Sequence, residues 1–143
     1  APLQRLDAPG EDGATHREAL GGALASLPGL VGGGTDLYQT VLDAYAQVQQ
    51  SYDPNMVNCV IVISDGANDA VSDLGTEEFL ARLRDMVDPS RPVIAVTIGL
   101  LDDADPATLA DIAEATGGSS HIAHTPEEIV RVFATAIQQR GGA

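Results

Sequence analysis

Residues 57–64 constrain the fold of this chain more than any other feature. They read Val-Asn-Cys-Val-Ile-Val-Ile-Ser, almost continuously apolar, and are closed by Asp65-Gly66. Val and Ile favour extended backbone. A strand with no alternating polar side is expected to be covered on both faces, as in a parallel sheet. Residues 92–99 repeat the pattern, and residues 120–123 give a short third strand.

The segments between these strands read as helices. Thr15-His16-Arg17-Glu18 has the spacing of a capping box, which predicts a helix to about residue 27, broken by Pro28 and Gly32-Gly33-Gly34. A second helix starts near Asp36, with Leu37, Val41, Tyr45 and Val48 on one face, and ends by Asp53-Pro54. Thr76-Glu77-Glu78 opens a third, with Leu80, Leu83 and Val87 inward. Asp105-Pro106 supplies an N-cap and a first-turn proline for a fourth, faced by Leu109, Ile112, Ala113 and Thr116 and stopped by Gly117-Gly118. Thr125-Pro126-Glu127-Glu128 starts the last, whose expected inner stripe is Ile129, Val130, Phe133, Ala134 and Ile137. Strands alternating with helices imply right-handed crossovers. The fold class is therefore α/β: a Rossmann-like three-layer α/β/α arrangement around a mainly parallel sheet.

A chain of 143 residues with 44% hydrophobic content holds one domain with a real core. Its formal charge of −14 repels phosphate backbones and anionic lipid, so nucleic acid and membrane insertion are excluded as expected partners. The same charge suits cations or basic protein surfaces. No apolar stretch approaches the ~20 residues of a membrane span. The single cysteine, Cys59, permits neither an intrachain disulfide nor a cysteine-based zinc site, and reads as a small buried hydrophobe.

Ligands of open parallel sheets bind beyond the C-terminal strand ends. Ser64, Asp65, Gly66 and Asn68 stand there after the first strand, while Thr35 and Asp36 open a helix behind a glycine run. Hydroxyl and carboxylate oxygens are hard ligands suited to Mg²⁺ or Mn²⁺. Taken singly, Thr35 also reads as a helix cap and Asp65-Gly66 as an ordinary turn. His121 and His124 straddle a strand end and read as structural. Asp102, Asp103 and Asp105 form an acidic loop on the same predicted edge, and Asp73, Glu77 and Glu78 read as solvated charges. No P-loop, dinucleotide fingerprint, nucleophile elbow or catalytic Cys/His pairing is present.

Taken in order, these segments resemble a von Willebrand factor A (vWA) domain. The resemblance lies in Gly33-Gly34-Thr35-Asp36-Leu37, Val60-Ile61-Val62-Ile63-Ser64-Asp65-Gly66, Val96-Thr97-Ile98-Gly99, Leu109-Ala110-Asp111-Ile112-Ala113 with Thr116-Gly117-Gly118, and Glu128-Ile129-Val130-Arg131-Val132-Phe133. It runs from about residue 32 to 140, and the Gly-Gly-Gly-Thr-Asp-Leu-Tyr wording is similar to a bacterial, actinobacterial-type branch. That family binds proteins through a metal-ion-dependent adhesion site (MIDAS). The site joins an Asp-x-Ser-x-Ser loop, a Thr from a second loop and an Asp from a third, and the partner supplies a carboxylate. The resemblance makes Thr35 the second-loop ligand and Asp65 the third, with Asp36, Ser64, Gly66 and Asn68 supporting them.

Asp-x-Ser-x-Ser occurs nowhere in the chain, and its nearest string, Asp88-Pro89-Ser90-Arg91, precedes a strand. The resemblance therefore implies an irregular lead-in over residues 1–14 and, over 15–140, only the C-terminal portion of a vWA-like domain. The expected function is a non-enzymatic protein-binding module for adhesion or assembly. It would use Mg²⁺ or Mn²⁺ in the complete domain, with weak or no binding by these residues alone, and capture an Asp or Glu carboxylate of a protein ligand. An open strand edge would also allow self-association or pairing with a missing N-terminal part. The alternatives are a metal-free vWA-like scaffold and, from a different class, a small α/β hydrolase or phosphotransfer domain built on Asp65. The expected location is extracytoplasmic or at the cell surface within a larger protein, with a cytoplasmic one left open.

Overall fold

The computed structural model describes residues 5–10, 13–26, 36–64, 74–100 and 104–138. The chain divides into two compact units, Ala1–Gly33 and Gly34–Ala143.

In the first unit, helix α1 (His16–Ser26) begins at the expected capping box. Thr15 donates its backbone N–H to Glu18 Oε2 at 2.7 Å, and Glu18 returns its own N–H to Thr15 Oγ1 at 3.3 Å. This exchange satisfies helix-start donors that no turn of helix can reach. A single antiparallel bridge joins Pro9 to Thr15 just before the helix.

The second unit contains α2 (Leu37–Gln50), β1 (Cys59–Ser64), α3 (Thr76–Asp85), β2 (Ile94–Leu100), α4 (Pro106–Ala115), β3 (Ser119–Ala123) and α5 (Pro126–Gln138). The strands form one parallel sheet in the order β1-β2-β3, with Cys59 opposite Ile94 and Val96 opposite Ser119. Helices lie on both sides, giving the α/β Rossmann-like arrangement expected from the strand–helix alternation.

Side chains of alternate strand residues point to opposite faces. One face carries Val60, Val62, Ala95 and Thr97, and the main core forms there against α2, α3 and α4. Tyr45, Phe79, Leu83 and Ile112 are fully buried in it. Tyr38 stacks on Phe79 with ring centroids 4.4 Å apart and planes 6° off parallel, and its hydroxyl meets Thr76 Oγ1 at 2.9 Å. Buried polar groups are paired: Thr97 Oγ1 donates to the carbonyl of Leu109 at 2.9 Å, and Thr116 Oγ1 accepts from the Ala95 N–H at 2.8 Å. The second of these closes the ladder where β3 has not yet begun.

The other face departs from expectation in three places. β2 is buried throughout its middle, but β1 is not covered on both sides, since Ile63 is 51% exposed. In the expected stripe of α5, Val130 is 70% and Phe133 42% exposed, while Ile129 is half-buried. Among the described residues, α5 packs against β3. Cys59 lies on the same face and is half-buried. The first strand also begins two residues late, at Cys59. The Asn58 amide bonds back to the carbonyls of Asp53 and Met56 at 2.8 and 3.0 Å, folding that stretch into a turn.

Helix ends follow local chemistry. The Asp105 carboxylate accepts from the N–H groups of Ala107 and Thr108, with Pro106 at the first helical position. At the other end of α4, Gly117 adopts φ +70°, the left-handed conformation that closes a helix with least strain in glycine. The last helix deviates slightly: Glu128 donates its N–H to Thr125 Oγ1, while its carboxylate accepts from His124 rather than from Thr125.

Candidate functional site

Helix α2 runs beside the outer edge of β1, and the two enclose a groove of about 320 Å³. Its wall from α2 is Leu37, Thr40, Val41 and Ala44, and its floor is the run of β1 from Val60 to Ser64. Asp36 and Ser64, the polar residues at the start of α2 and the end of β1, line the same groove. The trench is thus apolar along its length, with oxygen donors from the two segments that the sequence singles out.

The local fold explains why these residues converge. Strand β1 ends at the buried hydroxyl-bearing Ser64. The N-cap of α2 falls on Asp36, so the cap role that Thr35 alone would suggest belongs to its neighbour. Asp36 holds that position without a side-chain cap bond. Its carbonyl instead accepts from Thr40 Oγ1 at 2.7 Å and from the Thr40 N–H at 3.2 Å.

Of the six residues expected at the site, the structure brings Asp36 and Ser64 to one groove; Thr35, Asp65, Gly66 and Asn68 lie outside the described residues. The same holds for Asp73, Asp102 and Asp103. Asp105 is described, and it is a helix cap: the Thr108 hydroxyl at 2.7 Å, then the Thr108 and Ala107 N–H groups, hold its carboxyl below the ordinary carboxylate range. His121 Nε2 meets Ser119 Oγ at 2.9 Å within its own strand. Among the described residues, no group of three His, Cys, Asp or Glu side chains gathers.

Asp88-Pro89-Ser90-Arg91 is accounted for by its own geometry. The Asp88 carboxylate accepts from the Ser90 hydroxyl at 2.6 Å, the Ser90 N–H at 2.8 Å and Arg91 Nε at 2.9 Å. These donors lower its carboxyl to about 2, and they form a turn ahead of β2, at the opposite end of the strands from Ser64. Sequence reasoning overlooked the α2 wall of the groove. Thr40 carried a usable signal, because it stands one helical turn after Asp36.

No protein-family model matches the chain, and no curated protein matches it. Among solved structures it is similar to an uncharacterized membrane spanning protein from Vibrio fischeri, at 24% identity and a TM-score of 0.45. The match covers 56% of this chain and spans 45% of that one. Among the described residues, no helix is long and apolar enough to cross a membrane.

Proposed function

We propose that this chain is a vWA-like, non-enzymatic protein-binding module whose metal site uses Thr35 and Asp65. The observation that supports it is the meeting of Asp36 and Ser64 in one groove at the end of β1. Thr35 precedes Asp36 in the sequence, and Asp65 follows Ser64. Hydroxyl and carboxylate donors fit a hard divalent cation. Mg²⁺ or Mn²⁺ bound there would supply an open coordination position for a partner's Asp or Glu carboxylate. The chain's own part is to orient the donors: Ser64 through the rigid ladder to β2, and Asp36 through the first turn of α2.

The test is Mn²⁺ added to the ¹⁵N-labelled chain, read as paramagnetic broadening. The amides of Asp36 and Ser64 are expected to broaden first, at a metal concentration that rises when Thr35→Ala or Asp65→Ala is introduced. Broadening spread over the acidic surface, and unchanged in both variants, would overturn the assignment. Calorimetry with Mg²⁺ gives the same comparison without a paramagnet.

A further inference from the structure

The ring of Tyr38 and its hydroxyl serve different neighbours. The ring is stacked on Phe79, in a residue that is only 6% exposed. Phenylalanine would fill that place equally well. The hydroxyl does something else: it meets Thr76 Oγ1 at 2.9 Å, across 38 residues of sequence. Thr76 is the first residue of α3 and lies on the surface.

The two ends of this bond stand at the starts of two helices. Tyr38 is in the first turn of α2, two residues after Asp36. That turn is tied to Asp36 by Thr40, whose hydroxyl and N–H both donate to the Asp36 carbonyl. The N-cap of α3 is Gly75, which has no capping side chain. The first turn of α3 is closed by its backbone, with the Phe79 N–H donating to the Gly75 carbonyl at 2.9 Å. Each helix start thus has its own backbone bond without Tyr38. What the hydroxyl pair adds is the relation between them. The start of α2 cannot slide against the start of α3 without breaking a hydrogen bond beside the core, where an unpaired hydroxyl is costly.

Both starts belong to the motif segments. Thr35 and Asp36 immediately precede Leu37, the first residue of α2. Residues 65–73, with Asp65 at their head, lead in sequence to the core residue Leu74 and then to Thr76. Tyr38 itself does not line the groove between α2 and β1. We propose that Tyr38 is a positioning residue: its hydroxyl, through Thr76, fixes the start of α3, which follows the Asp65 segment, against the start of α2, which follows Thr35 and Asp36. This role in the site rests on the metal reading above, whereas the coupling of the two helix starts does not.

The test uses the 143-residue chain and variants of the pair. Tyr38→Phe keeps the stacked ring and Thr76→Val keeps the shape of the threonine, and each deletes one hydroxyl. Thr76→Ser keeps the hydroxyl. The Mn²⁺ concentration that half-broadens the Asp36 and Ser64 amides is expected to rise about two- to tenfold in Tyr38→Phe and in Thr76→Val, the range of one net hydrogen bond. The double variant is expected to match the single ones, and Thr76→Ser the parent. A loss of stability alone would not move that midpoint while the chain stays folded. In EDTA, amide exchange at Thr40 is expected to quicken in Thr76→Val and to stay as it was in Thr76→Ser. A parent midpoint shared by Tyr38→Phe and Thr76→Val would overturn the positioning role and leave the metal reading standing. A parent without localised broadening would remove the metal reading instead. Exchange at Thr40 then decides the coupling: quickened exchange in Thr76→Val upholds it, and unchanged exchange overturns it.

Discussion

The Tyr45 hydroxyl donates to the carbonyl of Val93 at 2.9 Å, in a site where Tyr45 is fully buried and Val93 nearly so. This bond ties the middle of α2 to the residue just before β2. It fixes the height of the helix along the sheet, and with it the position of Asp36 over the end of β1. Tyr45→Phe keeps the ring and deletes the donor. Leaving a buried carbonyl unpaired is expected to cost about 1–3 kcal/mol. Urea denaturation checks the loss, and chemical shifts of the groove residues check whether α2 has slipped.

The junction between α4 and β3 is expected to be the least tolerant of small changes. A Cβ on Gly118 would stand 1.8 Å from the carbonyl oxygen of Ala95, a backbone atom held in the sheet. Gly118→Ala is therefore expected to cost at least about 3 kcal/mol, at the upper end of overpacking effects. Gly117 has open space around it but φ +70°, so Gly117→Ala is expected to cost only about 1–2 kcal/mol through backbone strain. Thermal melts of the two variants should rank in that order, and the reverse order would refute the packing of this corner.

The cap of α4 gives a pH-dependent prediction. Asp105 has its carboxyl lowered by the Thr108 hydroxyl and by the Thr108 and Ala107 N–H groups. A depressed folded pKa means that its contribution is complete above the unfolded carboxylate value, about 3.9, and disappears as pH falls through the lower folded value. Asp105→Ala is expected to cost about 1 kcal/mol at neutral pH, as for other lost N-caps. The difference between variant and parent should vanish in strong acid, and a difference that persists there would mean that the side chain acts by packing.

Asp88 titrates at about 2 because Ser90 and Arg91 converge on its carboxylate. The sign is the same: the ionised form is favoured in the folded chain, and the turn loses that support only as pH approaches about 2. Ser90→Ala removes the first of these donors, the hydroxyl, and is expected to raise the midpoint toward the ordinary carboxylate range. Carboxyl-carbon NMR through an acid titration measures it directly.

The elements were legible because their signals are local. Thr15 with Glu18, Asp105 with Pro106, and Gly117 with Gly118 each mark a helix end by chemistry confined to a few residues, and each stands where expected. The β-branched run in β1 likewise gave strand and direction. What it could not give was the number of layers over each face. Ile63 and Ile98 have the same side chain on neighbouring strands, yet one is exposed and the other buried. The groove was half-visible for the same reason. Asp36 and Ser64 announce themselves by position, whereas Leu37, Val41 and Ala44 look like any apolar helix face until α2 is set beside the strand edge.

That difference between Ile63 and Ile98 is itself testable. The two are register partners on adjacent strands and share a sheet face, yet Ile63 is 51% exposed and Ile98 fully buried. Truncating the covered one, Ile98→Ala, is expected to cost about 2–5 kcal/mol, the range for a deleted aliphatic core side chain. Ile63→Thr keeps β-branching on an open face and is expected to change stability by no more than about 0.5 kcal/mol. Urea midpoints at low protein concentration make the comparison. A cost at Ile63 near that at Ile98 would mean that a second layer covers β1 in solution. If that cost also grew with protein concentration, the covering layer would be another copy of the chain, because stabilisation by association follows mass action.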